Sequence, residues 1–264
     1  MGKNEESQLS EIPLSERCKQ ILLGGLLGDS SLTLQKNYKN ARYQFRHSVT
    51  QEEYFWWKFN NLSEIALPTP KYSQPDGASK NPKVNFMSRA LPALTKIYNI
   101  VSPNGSKEIN ESWLSYLNEL ALLVWWLDDG SLVKDGQAGM LCCEGFEPSQ
   151  SEILQDYLQS KWDIKTSVIA INRKSTPGGI VYTKDVYYRL RLGNAELRKL
   201  FRLILPLLET PTMLNKFTFR YNDLNYHERW ISTMKEALPQ FYKEIEAISL
   251  EQKARISQRK GELK

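Results

Sequence analysis

Little in this chain reacts on its own. Among its 264 residues are three cysteines and two histidines. Cys142 and Cys143 are adjacent and no C-x-x-C occurs, which excludes a disulfide framework and a dithiol redox motif. His47 and His227 stand alone in the sequence, and two isolated imidazoles do not make a zinc site. H-E-x-x-H, G-x-S-x-G, G-x-G-x-x-G and Walker loops are absent, which removes zincins, serine hydrolases, dinucleotide enzymes and P-loop ATPases. No apolar run approaches the roughly 18–20 residues of a membrane span. The stretch MGKNEESQLSEIPLSERCK carries acidic residues and lacks the apolar core of a signal peptide. The expectation is an intracellular chain with reduced thiols and no membrane partner.

What is present is ordinary in amount and unusual in arrangement. Hydrophobic residues make up 41% and charged residues 25%, as in a globular protein with a sizeable core. The formal charge of +5 leans toward a polyanionic partner without proving one. The arrangement is a repeat. ILLGGLLGDSSL at 21–32 and ALLVWWLDDGSL at 121–132 share Leu, Leu, Leu, Asp, Ser and Leu at a constant offset of 100. That points to a duplicated unit of half the chain.

The segments downstream repeat as well. ARYQFRHSV (41–49) and PKVNFMSRA (82–90) alternate as half-buried strands, with EEYFWWKFNNLSEIA (52–66) and LPALTKIYNIV (91–101) as amphipathic helices. The second half offers a strand at 138–146, a helix at 149–163, a hairpin across STPGGI and a closing helix from Ala195. The fold class is therefore α+β, with two αββαββα halves at 1–112 and 113–230. The charged helical tail at 231–264 is expected to be solvated or frayed. The open strand faces carry Arg42, Gln44, Arg46 and Ser48, then Lys83, Asn85 and Arg89, then Tyr187, Arg189 and Arg191. Solvated faces are often charged, but the repetition in both halves favours groove recognition, where arginine reads guanine and glutamine reads adenine.

Glycine inside a helix costs about 0.5–1 kcal/mol relative to alanine, so Gly24, Gly25 and Gly28 ask for a close neighbour. The expected neighbour is the second motif helix, small residues facing Val124, Trp125 and Trp126. Such a pair would bring Asp29 and Asp129 together at two helix C-termini, where the dipoles are already negative. DS and DG are good turn formers, so one copy alone would be a turn. Two in register suggest carboxylates sharing Mg²⁺, for which hard oxygen ligands are suited, and hence phosphodiester hydrolysis.

The two motifs resemble those of a single-chain LAGLIDADG homing endonuclease, and the resemblance extends over about residues 14–220. It is nearest to the larger monomeric members of organellar introns, so an organellar setting is implied. The family's architecture implies motif helices packed at the interface and two antiparallel saddle-shaped sheets lying in the DNA major groove. It also implies that the last acid of each motif, Asp29 and Asp129, binds two or three Mg²⁺ ions with the backbone of Gly28 and Asp128. Asp128 is expected to take no catalytic part with its side chain. By the same resemblance SKEIN supplies a basic residue, Lys107, and TPTMLNK supplies Lys216. Gln44 is a candidate beside the reacting water, and Glu144 stands at the matching offset. The second motif departs from the family pattern at Val124, Trp125 and Trp126, which argues against symmetric helix packing. The implied activity is cleavage of a long double-stranded target by a monomer, leaving short 3′ overhangs. An intron RNA maturase and a regulator that has lost cleavage are the alternatives, and the retained acids favour the nuclease.

Overall fold

The computed structural model describes residues 9–75, 80–133, 136–172 and 186–262. The first half runs α1 (Glu16–Leu27), β1 (Ser31–Thr33), β2 (Arg42–Ser48), α2 (Glu52–Asn61), β3 (Lys71–Ser73), β4 (Lys83–Met87) and α3 (Pro92–Val101). A short helix, α4 (Glu111–Ser115), leads into the second half. There α5 (Glu119–Asp129), β5 (Gly130–Val133), β6 (Ala138–Cys142), α6 (Pro148–Trp162), β7 (Ser167–Asn172), β8 (Val186–Leu192) and α7 (Asn194–Ile204) repeat the order. Each half folds its strands into one antiparallel sheet, in the orders β1-β2-β4-β3 and β5-β6-β8-β7. The chain is thus α+β with a duplicated topology.

Local chemistry sets the ends of the two central helices. Ser15 caps α1 by accepting from the Cys18 amide at 3.2 Å, and Asn118 caps α5 by accepting from Leu120 at 2.9 Å. Gln20 joins them: its amide nitrogen donates to the Tyr116 carbonyl at 2.7 Å and its oxygen accepts from the Asn118 amide at 2.9 Å. Nearly every residue of α1 and α5 between these caps is buried, because both lie between the two sheets' supporting cores. Under the first sheet, Phe45 stacks on Phe86 with ring centroids 4.8 Å apart. In the second half the aromatic cluster centres on Phe201, 5.0 Å from Trp126 and 4.9 Å from Phe217.

Several expectations need correction. The helix expected over 52–66 ends at Asn61, and the short edge strands β1 and β3 had no clear signal of their own. Small residues do not face the large ones between α1 and α5. A side-chain carbon added at Gly24 would lie 2.4 Å from the Ala121 carbonyl oxygen, so that glycine meets backbone. Trp126 turns back into its own half, against Gly130 and Gly139. The tail is helical and largely solvated, as expected, but one face of it is docked rather than frayed. A helix α8 (Leu224–Ala237) runs through position 230, and α9 (Tyr242–Glu262) docks on it. Ile245, Ser249 and Ile256 are buried, and Ser249 Oγ lies 3.0 Å from His227 Nε2. The STPGGI loop lies outside the described residues. Among the described residues, no helix is long and apolar enough to cross a membrane.

Candidate functional site

Asp29 follows α1 by two residues, and Asp129 is the last residue of α5. Both carboxyls sit where the two helix ends converge. Removal from water, then neighbouring carboxylates, raises their proton affinity: Asp29 is pushed up to about 6, first by desolvation and then by Asp128. Asp129 is pushed up to about 8, first by desolvation and then by Asp29 and Asp128. Asp29 keeps 44% of its side chain exposed and opens into a groove of about 590 Å³, with Gln44, Arg46, Lys71 and Asn85 also in its walls.

The two lysines singled out in the sequence occupy equivalent places, one at each helix end. Lys107 Nζ donates to the Leu26 carbonyl at 2.9 Å, on the last turn of α1. Lys216 Nζ donates to the Leu127 carbonyl at 2.5 Å and to that of Gly130 at 3.0 Å, at the end of α5. Cations here offset the negative ends of the helix dipoles. Burial lowers the proton affinity of both, against the nearby aspartates that raise it. Lys216 also reaches the Asp128 carbonyl at 3.3 Å, so the expected backbone contribution of Asp128 to a cation competes with an ammonium.

The Asp128 side chain is the residue that sequence reasoning undervalued. A carbon added at Gly28 would lie 2.5 Å from Asp128 Cβ. The missing side chain in one motif makes room for the extra acid in the other. Asp128 thereby crosses into the first half, where its carboxylate accepts from Tyr54 Oη at 2.8 Å and from Lys58 Nζ at 2.9 and 3.1 Å. Both side chains of this ion pair are fully buried. Lys58 Nζ also lies 4.3 Å from the centroid of Phe45, a cation over an aromatic face. His47 stands between the carboxylates, with Nδ1 3.8 Å from Asp29 and Nε2 3.8 Å from Asp128, too far for hydrogen bonds. Desolvation first, and Lys58 next, lower His47 to about 3, so the ring is neutral. It is not the isolated histidine that the sequence suggested.

Among the described residues, Asp29, Asp128 and His47 form a group that offers ligand atoms all within 4.8 Å of one another. Asp128 is already committed to Lys58 and Tyr54, whereas Asp129 is raised by Asp29 more than either Lys216 or Lys107 offsets. The Asp29 and Asp129 carboxylates suit a hard divalent cation, which favours their charged forms.

The sheet residues divide. Gln44 and Arg46 are exposed on β2, and Gln44 sits opposite Ser31. In the second sheet the residue opposite Ser131 is Met140, so Glu144 is not the counterpart of Gln44. Glu144 instead accepts from Arg189 Nε at 2.9 Å. Lys83 and Arg191 are half-buried on their strands. Asn85 donates to the Lys71 carbonyl at 2.8 Å, Ser48 caps the turn at Thr50, and Arg42 lies 3.6 Å from Met87 Sδ. Two placements differ from expectation. Arg89 follows β4 and turns its guanidinium to the Glu64 carbonyl at 2.5 Å, and Tyr187 is only 8% exposed.

The family model described as "LAGLIDADG DNA endonuclease family" matches residues 19–200. "Protein RecA" of Mycolicibacterium chitae is 30% identical over 159 residues, 55% of this chain and 36% of that protein. The chain therefore spans well under half the length of such relatives. "Cytochrome b mRNA maturase bI2" of Saccharomyces cerevisiae is 24% identical over 184 residues, 66% of this chain and 43% of that protein. Among solved structures, the homing endonuclease I-WcaI bound to its DNA recognition sequence aligns with a TM-score of 0.66 at 19% identity. The alignment covers 83% of this chain and 93% of that one. It is a likeness of fold.

Proposed function

The chain belongs to the LAGLIDADG DNA endonuclease family, and on that premise we propose a site-specific homing endonuclease that cuts both strands of a long DNA target. One observation carries the reading: Asp29 and Asp129, one from each half, come together at paired helix ends with both proton affinities raised. A turn-forming aspartate has no need of such a neighbour. Residues 1–112 and 113–230 would each take half of the target in the major groove, so one chain suffices. Contacts would come from Arg42, Gln44, Arg46, Ser48, Lys83, Asn85, Arg89, Tyr187, Arg189 and Arg191.

Asp29 and Asp129 would hold Mg²⁺, which supplies an activated water and neutralises the leaving oxygen. The chain's own residues do the rest. Lys107 and Lys216 hold positive charge at the two helix ends, where a scissile phosphate gains negative charge. Gln44, on the wall shared with Asp29, orients water or phosphate through its amide. Lys58 and Tyr54 keep the Asp128 carboxylate turned away from the DNA face. The likeness to a maturase named for cytochrome b mRNA supports an organellar intron origin, and it makes RNA binding the second reading.

The test is cleavage of a randomised duplex library in Mg²⁺, with Asp29→Asn and Asp129→Asn in parallel. Enrichment of one long motif with staggered 3′ ends, and variants that bind without cutting, is the expected result. A wild type that binds an intron RNA and leaves every duplex intact would replace the nuclease with the maturase.

A further inference from the structure

The two sheets share a topology, so their outer faces can be compared row by row. In the first sheet one row is Arg46, Asn85 and Lys71, and the next is Ser48, Lys83 and Ser73. The matching rows of the second sheet are Cys142, Arg189 and Ile169, followed by Tyr187 and Ile171. Opposite Ser31 stands Gln44, and opposite Ser131 stands Met140. The first face is built mainly of hydrogen-bonding side chains, with Met87 beside Gln44 as its apolar member. Among the described residues, the second carries Met140, Cys142, Ile169, Ile171 and Tyr187, with Ser131, Ser167 and two arginines as its polar members. One of these, Arg189, is already paired with Glu144. Tyr187 is buried, but Met140, Cys142, Ile169 and Ile171 lie outside the core, which takes Leu141, Leu190 and Leu192 from the opposite side of the same strands. Ile169 and Ile171 are only half-buried.

Such a face offers fewer donors and acceptors to base edges than the first one does. Guanine and adenine are distinguished in the major groove by paired donors and acceptors, whereas an apolar side chain there meets only the thymine methyl. Resting on the nuclease reading above, we infer that target recognition is lopsided. The half-site under residues 113–230 is read through thymine methyls by Met140, Ile169 and Ile171, with Arg191 on the same face. The half-site under residues 1–112 is read through hydrogen bonds. Continuity with the polar face, and the arginines that share the apolar one, favour DNA as the occupant over a second copy of the chain.

The experiment uses duplexes selected by the full chain, then replaces thymine by deoxyuracil in one half-site at a time and measures Kd. In the half-site contacted by residues 113–230, selected sequences should be thymine-rich. There, loss of each contacted methyl should weaken binding about fourfold, the equivalent of one buried methyl group. Ile169→Ala with Ile171→Ala should abolish that penalty at the thymines they contact, leaving the Met140 contact and the other half-site's preferences intact, which also identifies the half-site concerned. Duplex binding with equal preferences in both half-sites and no uracil effect would overturn the inference and leave the nuclease reading standing. A double variant that changes the oligomeric state instead of the uracil response would assign the face to a second copy. Failure to bind any duplex would remove the nuclease reading itself.

Discussion

At equivalent points along the central helices, the first half has Gly24, Gly25 and Gly28 where the second has Val124, Trp125 and Asp128. Each glycine yields its space to something different. Gly24 gives way to the Ala121 backbone, Gly25 to the Tyr43 hydroxyl and Gly28 to Asp128. The second helix fills its own half with indole, and α6 buries Ser151, Leu154, Tyr157 and Leu158, with no charged side chain. In the first half α2 buries Lys58. A duplicated fold need not keep a duplicated interface. Once both copies sit in one chain, a cavity on one side and a side chain on the other can replace symmetric contact.

The strongest way to break this asymmetry is Gly24→Val. With no room before the Ala121 backbone, it should cost more than about 4 kcal/mol, seen as loss of a cooperative denaturant transition. Val124→Gly, its mirror, should leave a folded protein weaker by about 2–4 kcal/mol. Equal effects would show that the helices do not meet as described. Lys58→Met leaves Asp128 buried without its cation, and about 3–5 kcal/mol should be lost in urea unfolding. Adding Asp128→Leu should recover most of it; a simple sum of two losses would dismiss the pair as a unit.

The acids give a pH signature. An unfolded Asp129 titrates near its ordinary 3.8, while the folded one holds its proton to about 8, and Asp29 to about 6. The folded state thus binds more protons at these acids across that window. Metal-free protein should melt at progressively lower temperature as pH rises from 6.5 through 8, above the range in which the low-titrating His47 opposes the acids. Asp129→Asn should flatten the curve, and Mg²⁺ should raise the melting temperature at its alkaline end. A melting temperature that climbs with pH over that range would refute the assignment. The smallest effect concerns the lysines. Lys107→Met loses one helix-end carbonyl contact and should cost about 1 kcal/mol. Lys216→Met, which strips several, should cost about twice that and slow cleavage more.

Much of this plan is legible in the sequence, because repetition needs no tertiary information. The offset of 100 finds both acids, and alternation finds the exposed faces of β2 and β4. The offset fails beyond the first strand of each half. Gln44 matches Met140, at a distance of 96, because the β1–β2 connection is longer than its counterpart. That shift made Glu144 look equivalent. Lys58 was missed because a lysine on an amphipathic helix is ordinarily solvated. Its phase with Tyr54 and Leu62, both buried, was the available signal. His47 likewise shares the buried phase of Tyr43 and Phe45 on β2. Neither signal says what the buried charge meets, since the partner, Asp128, lies 70 residues away.

The Lys58–Asp128 pair has a consequence for recombination. Two copies of the first half would bring Gly28 to Gly28 and leave two buried ammoniums without an acid. Two copies of the second would press Asp128 against Asp128 with no recess and no lysine. Neither half can regenerate a symmetric ancestor by pairing with itself. A chimera that exchanges halves between related chains must move Gly28, Tyr54 and Lys58 as one inheritance and match them to an acid at position 128.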